Sequence, residues 1–368
     1  MRSPRGKAIL LAGGIAAAAV GTVMLAPGGS GARPAAERAA VTGTRPTHRA
    51  AGRKAPANSA RISRAVEPAA GFSPYVDVGL YPAFDLTGTA AKAGVRTFNL
   101  AFVVSGGGCE PKWGGSQALE DNAVAQQIGA LREFGGDVRV SFGGQAGTEL
   151  AQACGSSAQL AAAYKKVIDT FKLTKVDFDV EGAAIADTAA NARRDEAIAQ
   201  LQKQVDGLDV SLTLPVLPSG LTGEGLGLVT DAANKGVDVS AVNIMAMDYG
   251  DGAAPQPGGR MGDYAIQAAT STEAQVRKAL GVQDAFGRIA VTPMIGVNDT
   301  STEVFTVADA TKLAAFARTK KLAWLSMWSA TRDKPCPGGP KNSADPTCSS
   351  VAQDDLAFTD AFSEASTS

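Results

Sequence analysis

The chain has 368 residues, 45% of them hydrophobic, with 35 Lys/Arg against 36 Asp/Glu, which allows one large domain or two small ones. The charge is uneven: residues 1–70 hold 11 Lys/Arg and 2 Asp/Glu, and the remainder holds 24 and 34. An acidic body argues against nucleic acid as the main partner, because phosphate binding needs a basic face.

Taken in chain order, Arg2, Arg5 and Lys7 precede a run of apolar residues and glycines over 8–26. Residues 1–26 are expected to be an export signal or, if uncleaved, a signal anchor that leaves the protein on a membrane. Residues 27–70 are rich in Ala, Pro, Gly, Ser and Arg and have almost no large apolar side chains, so a disordered linker is expected. It reads as a solvated spacer whose arginines suit contact with cell wall or anionic membrane. The only histidine, His48, lies in it. The body, 71–368, therefore has no Ser-His-Asp or Cys-His catalysis and no His-ligated zinc. Carboxylates must do its proton work.

From Phe72 onward, short β-branched or aromatic runs alternate with Ala-rich helical patterns. Strands are expected at 75–80, 97–103, 138–142, 176–181, 210–214, 241–247, 289–295 and 324–328. Helical periods include 158–171, 189–205, 272–280 and 307–319. Eight strands alternating with helices in about 300 residues predict an α/β fold, a (β/α)8 TIM barrel. A doubly wound sheet is the alternative, but no strand leads into a GxGxxG turn.

Strand four carries the most information. In Lys175-Val-Asp-Phe-Asp-Val-Glu181, side-chain alternation puts Val176, Phe178 and Val180 on one face and Asp177, Asp179 and Glu181 on the other. Three like charges on one face resist desolvation, so at least one should hold a proton above its ordinary pKa, as a general acid must. An edge strand with its acidic face in water would show the same alternation. In a barrel, however, reactive groups sit at the C-terminal strand ends, which puts Glu181 at the rim with Asp179 and Asp177 deeper.

Other strand ends point to the same rim. Strand three ends Ser141-Phe142-Gly143-Gly144-Gln145, whose glycines permit close backbone approach. Strand six delivers Met245, Met247, Asp248 and Tyr249, and strand eight ends at Trp328, an apolar platform suited to a sugar ring. Four cysteines allow three connectivities, and export permits disulfides. Cys109–Cys154 and Cys336–Cys348 are favoured, because each would staple a loop beside one barrel face. The absence of CxxC spacing argues against zinc.

With DxDxE at Asp177, Asp179 and Glu181 and SxGG at Ser141, Gly143 and Gly144, residues 74–332 resemble the catalytic domain of glycoside hydrolase family 18, the chitinase family. The stretches 243–250 and 102–113 resemble one bacterial branch of it. Two departures stand out: Thr174 replaces the first signature aspartate, with Lys175 beside it, and Met247 stands where many relatives have tyrosine, with Tyr249 two residues on. The resemblance implies a retaining hydrolysis assisted by the substrate's own acetamido group. In it Glu181 is the acid, Asp179 orients the acetamido N–H and passes its proton toward Asp177, Asp248 and Tyr249 hold the acetamido group, and Trp328 floors the reacting subsite. It implies no cofactor and no metal, a chitin or other N-acetylglucosamine glycan as partner, and a secreted monomer. Only about 27 residues separate strands seven and eight, and Trp113, Trp324 and Trp328 are the only tryptophans, which suggests an open cleft and endo-type cutting. Two rivals are an endo-β-N-acetylglucosaminidase acting on glycoprotein glycans and a non-catalytic chitin-binding lectin.

Overall fold

The computed structural model describes residues 71–363; the expected signal, the linker and the last five residues lie outside the described residues. The first barrel strand comes in two pieces, Gly71–Phe72 and Tyr75–Asp77, separated by Ser73 and Pro74. Gly71 pairs with Trp324 and Tyr75 with Asn99, so this strand bonds both the last strand and the second. That double pairing closes the sheet. Between lie Thr97–Ser105, Asp137–Gly143, Lys175–Asp179, Asp209–Leu217, Ala241–Met245, Ile289–Thr292 and Trp324–Leu325, each parallel to its neighbour. Parallel strands covered on both faces need near-continuous apolar runs, which the sequence supplies.

The helices begin where the sequence caps them. Ser156 accepts from the Gln159 N–H ahead of Ser157–Phe171, Asp187 accepts from Ala190 ahead of Thr188–Gln204, and Thr306 with Asp309 forms a capping box for Val307–Lys320. One helix is longer than its periodicity suggested. Met261–Leu280 starts eleven residues before 272, with Met261, Tyr264, Ala265, Ala268 and Ala269 extending the buried stripe. Its Gly262 is tolerated because it lies against Asp309, where a Cβ would come within 2.9 Å of that carboxylate.

Five strands end earlier than expected: strand one stops at Asp77 and strand seven at Thr292, and three more stop short at the mouth. Strand four stops at Asp179, strand six at Met245 and strand eight at Leu325, after which a single bridge joins Trp328 to Met294. The chain leaves the ladder at these points and carries its last side chains over the barrel mouth. Between strands seven and eight the described residues hold only a short hairpin, Gly296–Val297 with Val304–Phe305, and the helix Val307–Lys320. The disulfides are Cys109–Cys154 and Cys336–Cys348, with Cα atoms 4.6 and 5.0 Å apart. Among the described residues no helix is long and apolar enough to cross a membrane.

The N-terminal end of the lumen is plugged. The Arg139 guanidinium lies 4.5 Å from the Trp324 ring centroid and donates to Asp209 at 3.2 Å and to the Val176 carbonyl at 3.0 Å. The lumen is therefore a filled core with one reactive mouth.

Candidate active site

Strand four is oriented by its apolar face. Phe178 stacks on Phe142 at 5.4 Å and meets Tyr164 of the helix Ser157–Phe171 edge-on at 4.9 Å. With Val176, Phe178 and Val180 in that packing, Asp177 and Asp179 must face the lumen.

Asp177 is the deepest of the three acids and is fully hydrogen-bonded. Tyr75 and Ser141 donate to its Oδ2 at 2.8 and 2.7 Å, and Ser211 and Thr213 donate to its Oδ1 at 2.5 and 2.8 Å. Each hydroxyl has one proton, so all four are committed to this carboxylate. The amide of Asn243 backs the cage by donating to Thr213 and Tyr75, and Thr292 in turn donates to the Asn243 carbonyl.

The glycine pair has a steric reason. Gly143 sits opposite Asp179 with φ +102°, and a Cβ there would lie 2.0 Å from the Asp179 carbonyl oxygen. A Cβ on Gly144, φ +85°, would lie 2.7 Å from the Phe102 ring, and the Gly144 N–H donates to that same carbonyl at 3.0 Å. Both positions combine a left-handed backbone with a close approach, which only glycine meets without strain.

Asp179 is buried and its Oδ1 has no hydrogen-bond partner. Burial, followed by the charges of Glu181, Asp177 and Glu149, holds its carboxyl well above the usual range. Depth alone therefore does not order these acids: the deeper Asp177 is satisfied, and Asp179 is the one left wanting a donor. Glu181 lies just past the strand at the start of the turn Gly182–Ala186. Burial, helped by the charge of Asp248, pushes it up to about 7, against a smaller pull from the Gln145 backbone N–H. A carboxylic acid near neutrality is matched to proton donation at neutral pH.

Strand six places its residues unevenly. Met245 and Met247 are half-buried, and Asp248, at φ +49°, is exposed on the rim and accepts from the Thr300 N–H at 2.7 Å. Tyr249 instead turns inward; its ring meets Tyr264 edge-on at 6.2 Å, and its buried hydroxyl has no partner. Glu303 holds this loop by accepting from the backbone N–H groups of Tyr249 and Gly250. Trp328 is half-buried, stacks on Phe102 at 5.5 Å and leans on Tyr75 at 6.0 Å, a continuous aromatic patch at the mouth. Trp113 and Trp324 take no part in it: Trp113 is buried and donates to the Leu119 carbonyl, and Trp324 lies at the closed end.

The motif residues Ser141, Gly143, Gly144, Asp177, Asp179 and Glu181 thus come together, with Gln145, Asp248 and Trp328 around them. Sequence reading missed Tyr75, Phe102, Ser211, Thr213 and Asn243. A signal existed for the polar ones: Ser211 and Thr213 alternate with apolar residues along one strand and Asn243 stands alone in another, and a polar side chain buried there needs partners.

No family model matches the chain. Its sequence is 37% identical over 277 residues to a probable bifunctional chitinase/lysozyme of Escherichia coli strain K12, covering 72% of this chain and 31% of that protein. It is 36% identical over 275 residues to endochitinase 11 of Metarhizium anisopliae, covering 72% of this chain and 52% of that one. The chain thus spans about half or less of the length of these curated relatives. Active domain 2 of the chitinase from Pyrococcus furiosus superposes with a TM-score of 0.73 at 34% identity, over 81% of this chain and 95% of that domain. The chain belongs to glycoside hydrolase family 18, the chitinase family.

Proposed function

We propose that the protein is a secreted chitinase that cuts internal β-1,4 bonds between N-acetylglucosamine units, with the acetamido group of the substrate as the nucleophile. The observation that carries this reading is the unpartnered, buried Oδ1 of Asp179 beside a Glu181 raised to about 7. An acetamido N–H is the donor that Oδ1 lacks. Glu181 gives its proton to the glycosidic oxygen as that bond to the anomeric carbon breaks, and the acetamido carbonyl oxygen bonds to the same carbon. The resulting oxazolinium ion carries its positive charge next to Asp179. Glu181, now a carboxylate, takes a proton from water, which attacks the anomeric carbon and reopens the ring with net retention. A proton passed on from Asp179 to Asp177 has to displace one of the four hydroxyls around Asp177. Trp328 and Phe102 offer the apolar face of a sugar its platform, and Asp248 past the end of strand six holds the acetamido group.

A domain of the Pyrococcus furiosus relative has been solved with chito-oligosaccharides, which supports an N-acetylglucosamine polymer as ligand. Export rests on the sequence of residues 1–26 and on two disulfides, which persist in oxidising compartments. The test is incubation with chitin oligosaccharides, high-mannose glycoprotein and cellulose. Shortened chitin oligosaccharides are expected. Release of glycan alone would point to a glycoprotein-directed enzyme, binding without cleavage to a lectin, and cleavage of cellulose would rule out acetamido participation.

A further inference from the structure

Behind strand four, away from the lumen, lies a second set of buried charges that the reaction does not use. Arg194, on the helix Thr188–Gln204, is fully buried. Its Nε and Nη2 donate to the two carboxylate oxygens of Glu149 at 2.6 and 2.5 Å, a two-pronged ion pair. Its Nη1 donates to the Asn191 side-chain oxygen at 2.7 Å, and the Asn191 Nδ2 donates to the Ile185 carbonyl at 2.9 Å.

The two ends of this relay are the two segments that flank Glu181. Glu149 lies four residues past Gln145, whose backbone N–H reaches Glu181. Ile185 belongs to the turn Gly182–Ala186, which starts from Glu181. The Glu149 side is held by further ties: Ser105 donates its N–H to the Thr148 carbonyl, Arg193 donates to the Ala151 carbonyl, and Cys154 is linked to Cys109. We infer that Arg194, through Glu149 and Asn191, is a positioning residue that sets where the acid Glu181 sits over the barrel mouth.

A buried ion pair is a poor source of net stability, since a well-packed apolar replacement often does as well or better. This pair instead supplies direction. Three donors in one plane can bind two separate segments at once, which a lysine ammonium on a flexible stem cannot reproduce. Sequence reading passed it over because Arg193-Arg194-Asp195-Glu196 in a helix looks like a solvated charged face. Asp248 from strand six acts on Glu181, and Glu181 and Asp177 both act on Asp179 between them. Glu149 acts on Asp179 from the strand-three loop, and Arg332 faces Asp248 from the loop after strand eight. Loosening the relay admits water to Glu181, and burial is the largest cause of its raised affinity for a proton.

This inference rests on the reading of Glu181 as the acid, and two variants test it. Arg194→Lys keeps the charge beside Glu149 but loses the fork, and Asn191→Ser keeps a small polar group but loses the reach to Ile185. Each is compared with the parent for kcat and KM on chitin oligosaccharides. The Glu181 carboxyl titration is followed by carbon-13 NMR of glutamate-labelled protein, which needs no turnover. A fall in kcat of about tenfold is expected, with KM within about twofold and the titration moving from about 7 toward the ordinary value of 4.5. A lower melting temperature with kcat and titration unchanged, in whichever variant folds, would overturn the inference. If the parent cuts no chitin oligosaccharide yet the titration moves, the relay stands and the chitinase reading falls.

Discussion

The closed and open ends of the barrel lumen hold the same residue type under opposite conditions. At the closed end, burial would raise Asp209, but the charge and hydrogen bond of Arg139 outweigh it and hold the carboxyl below its usual range. At the open end, Asp179 is buried and Glu181 half-buried beside other carboxylates, and among the described residues no salt bridge reaches either. Arg139, aided by the Ser240 hydrogen bond and the charge of Lys175, makes the difference. With cations beside it, a buried aspartate favours the anion and acts as a structural anchor; without them, the acid favours a proton that can be transferred.

The largest expected effect comes from removing the transferable proton. Glu181→Gln keeps the shape but has no acidic proton, so kcat should drop by about 10²–10⁴-fold while oligosaccharide affinity persists. Steady-state kinetics with a binding isotherm on the same variant measures both, and undiminished kcat would end the assignment of Glu181. The parent's kcat/KM should also fall as pH rises through about 7, where Glu181 loses its proton.

The same variant sharpens the comparison through stability. Glu181 binds its proton more tightly folded than unfolded. Its contribution is therefore fully present below about pH 4.5 and is lost as pH rises through about 7. Relative to the parent, Glu181→Gln should gain about 3 kcal/mol between pH 4 and 8. Denaturant unfolding of both proteins at the two pH values checks this. An unchanged difference would mean that the acid is not held out of water.

Asp209→Asn at the closed end should behave in the opposite sense. The depressed Asp209 stabilises the fold above its unfolded pKa, and that stability is lost as pH falls through the folded value. The variant should lose about 1–2 kcal/mol at pH 7, with the deficit shrinking in acid and kcat unchanged. A fall in kcat comparable to that of Glu181→Gln would show that the two ends are not separate.

Much of the open end could be read from the sequence, because a strand's period of two states which side chains share a face. Asp177, Asp179 and Glu181 follow from spacing alone, and Gly143 and Gly144 mark a backbone that must approach closely. The four-hydroxyl cage around Asp177 could not be read that way. Tyr75, Ser141, Ser211 and Thr213 come from strands 34 to 138 residues apart in the pairs that contact one another, and only the register across parallel strands levels them. Tyr249 shows the same limit from the other side. Its place in the motif suggested the mouth, but the left-handed turn at Asp248 sends the phenol against Tyr264.

By itself the sequence determined the alternation of strands and helices, the acidic face of strand four and a body without histidine, since these depend only on residue order and inventory. Tertiary structure decided which acid is satisfied, which lacks a donor and which holds its proton near neutrality. Those properties depend on burial and on neighbouring charges brought in from other strands. Asp177, Asp179 and Asp209 have the same side chain; four hydroxyls, an unfilled oxygen and one arginine make them different.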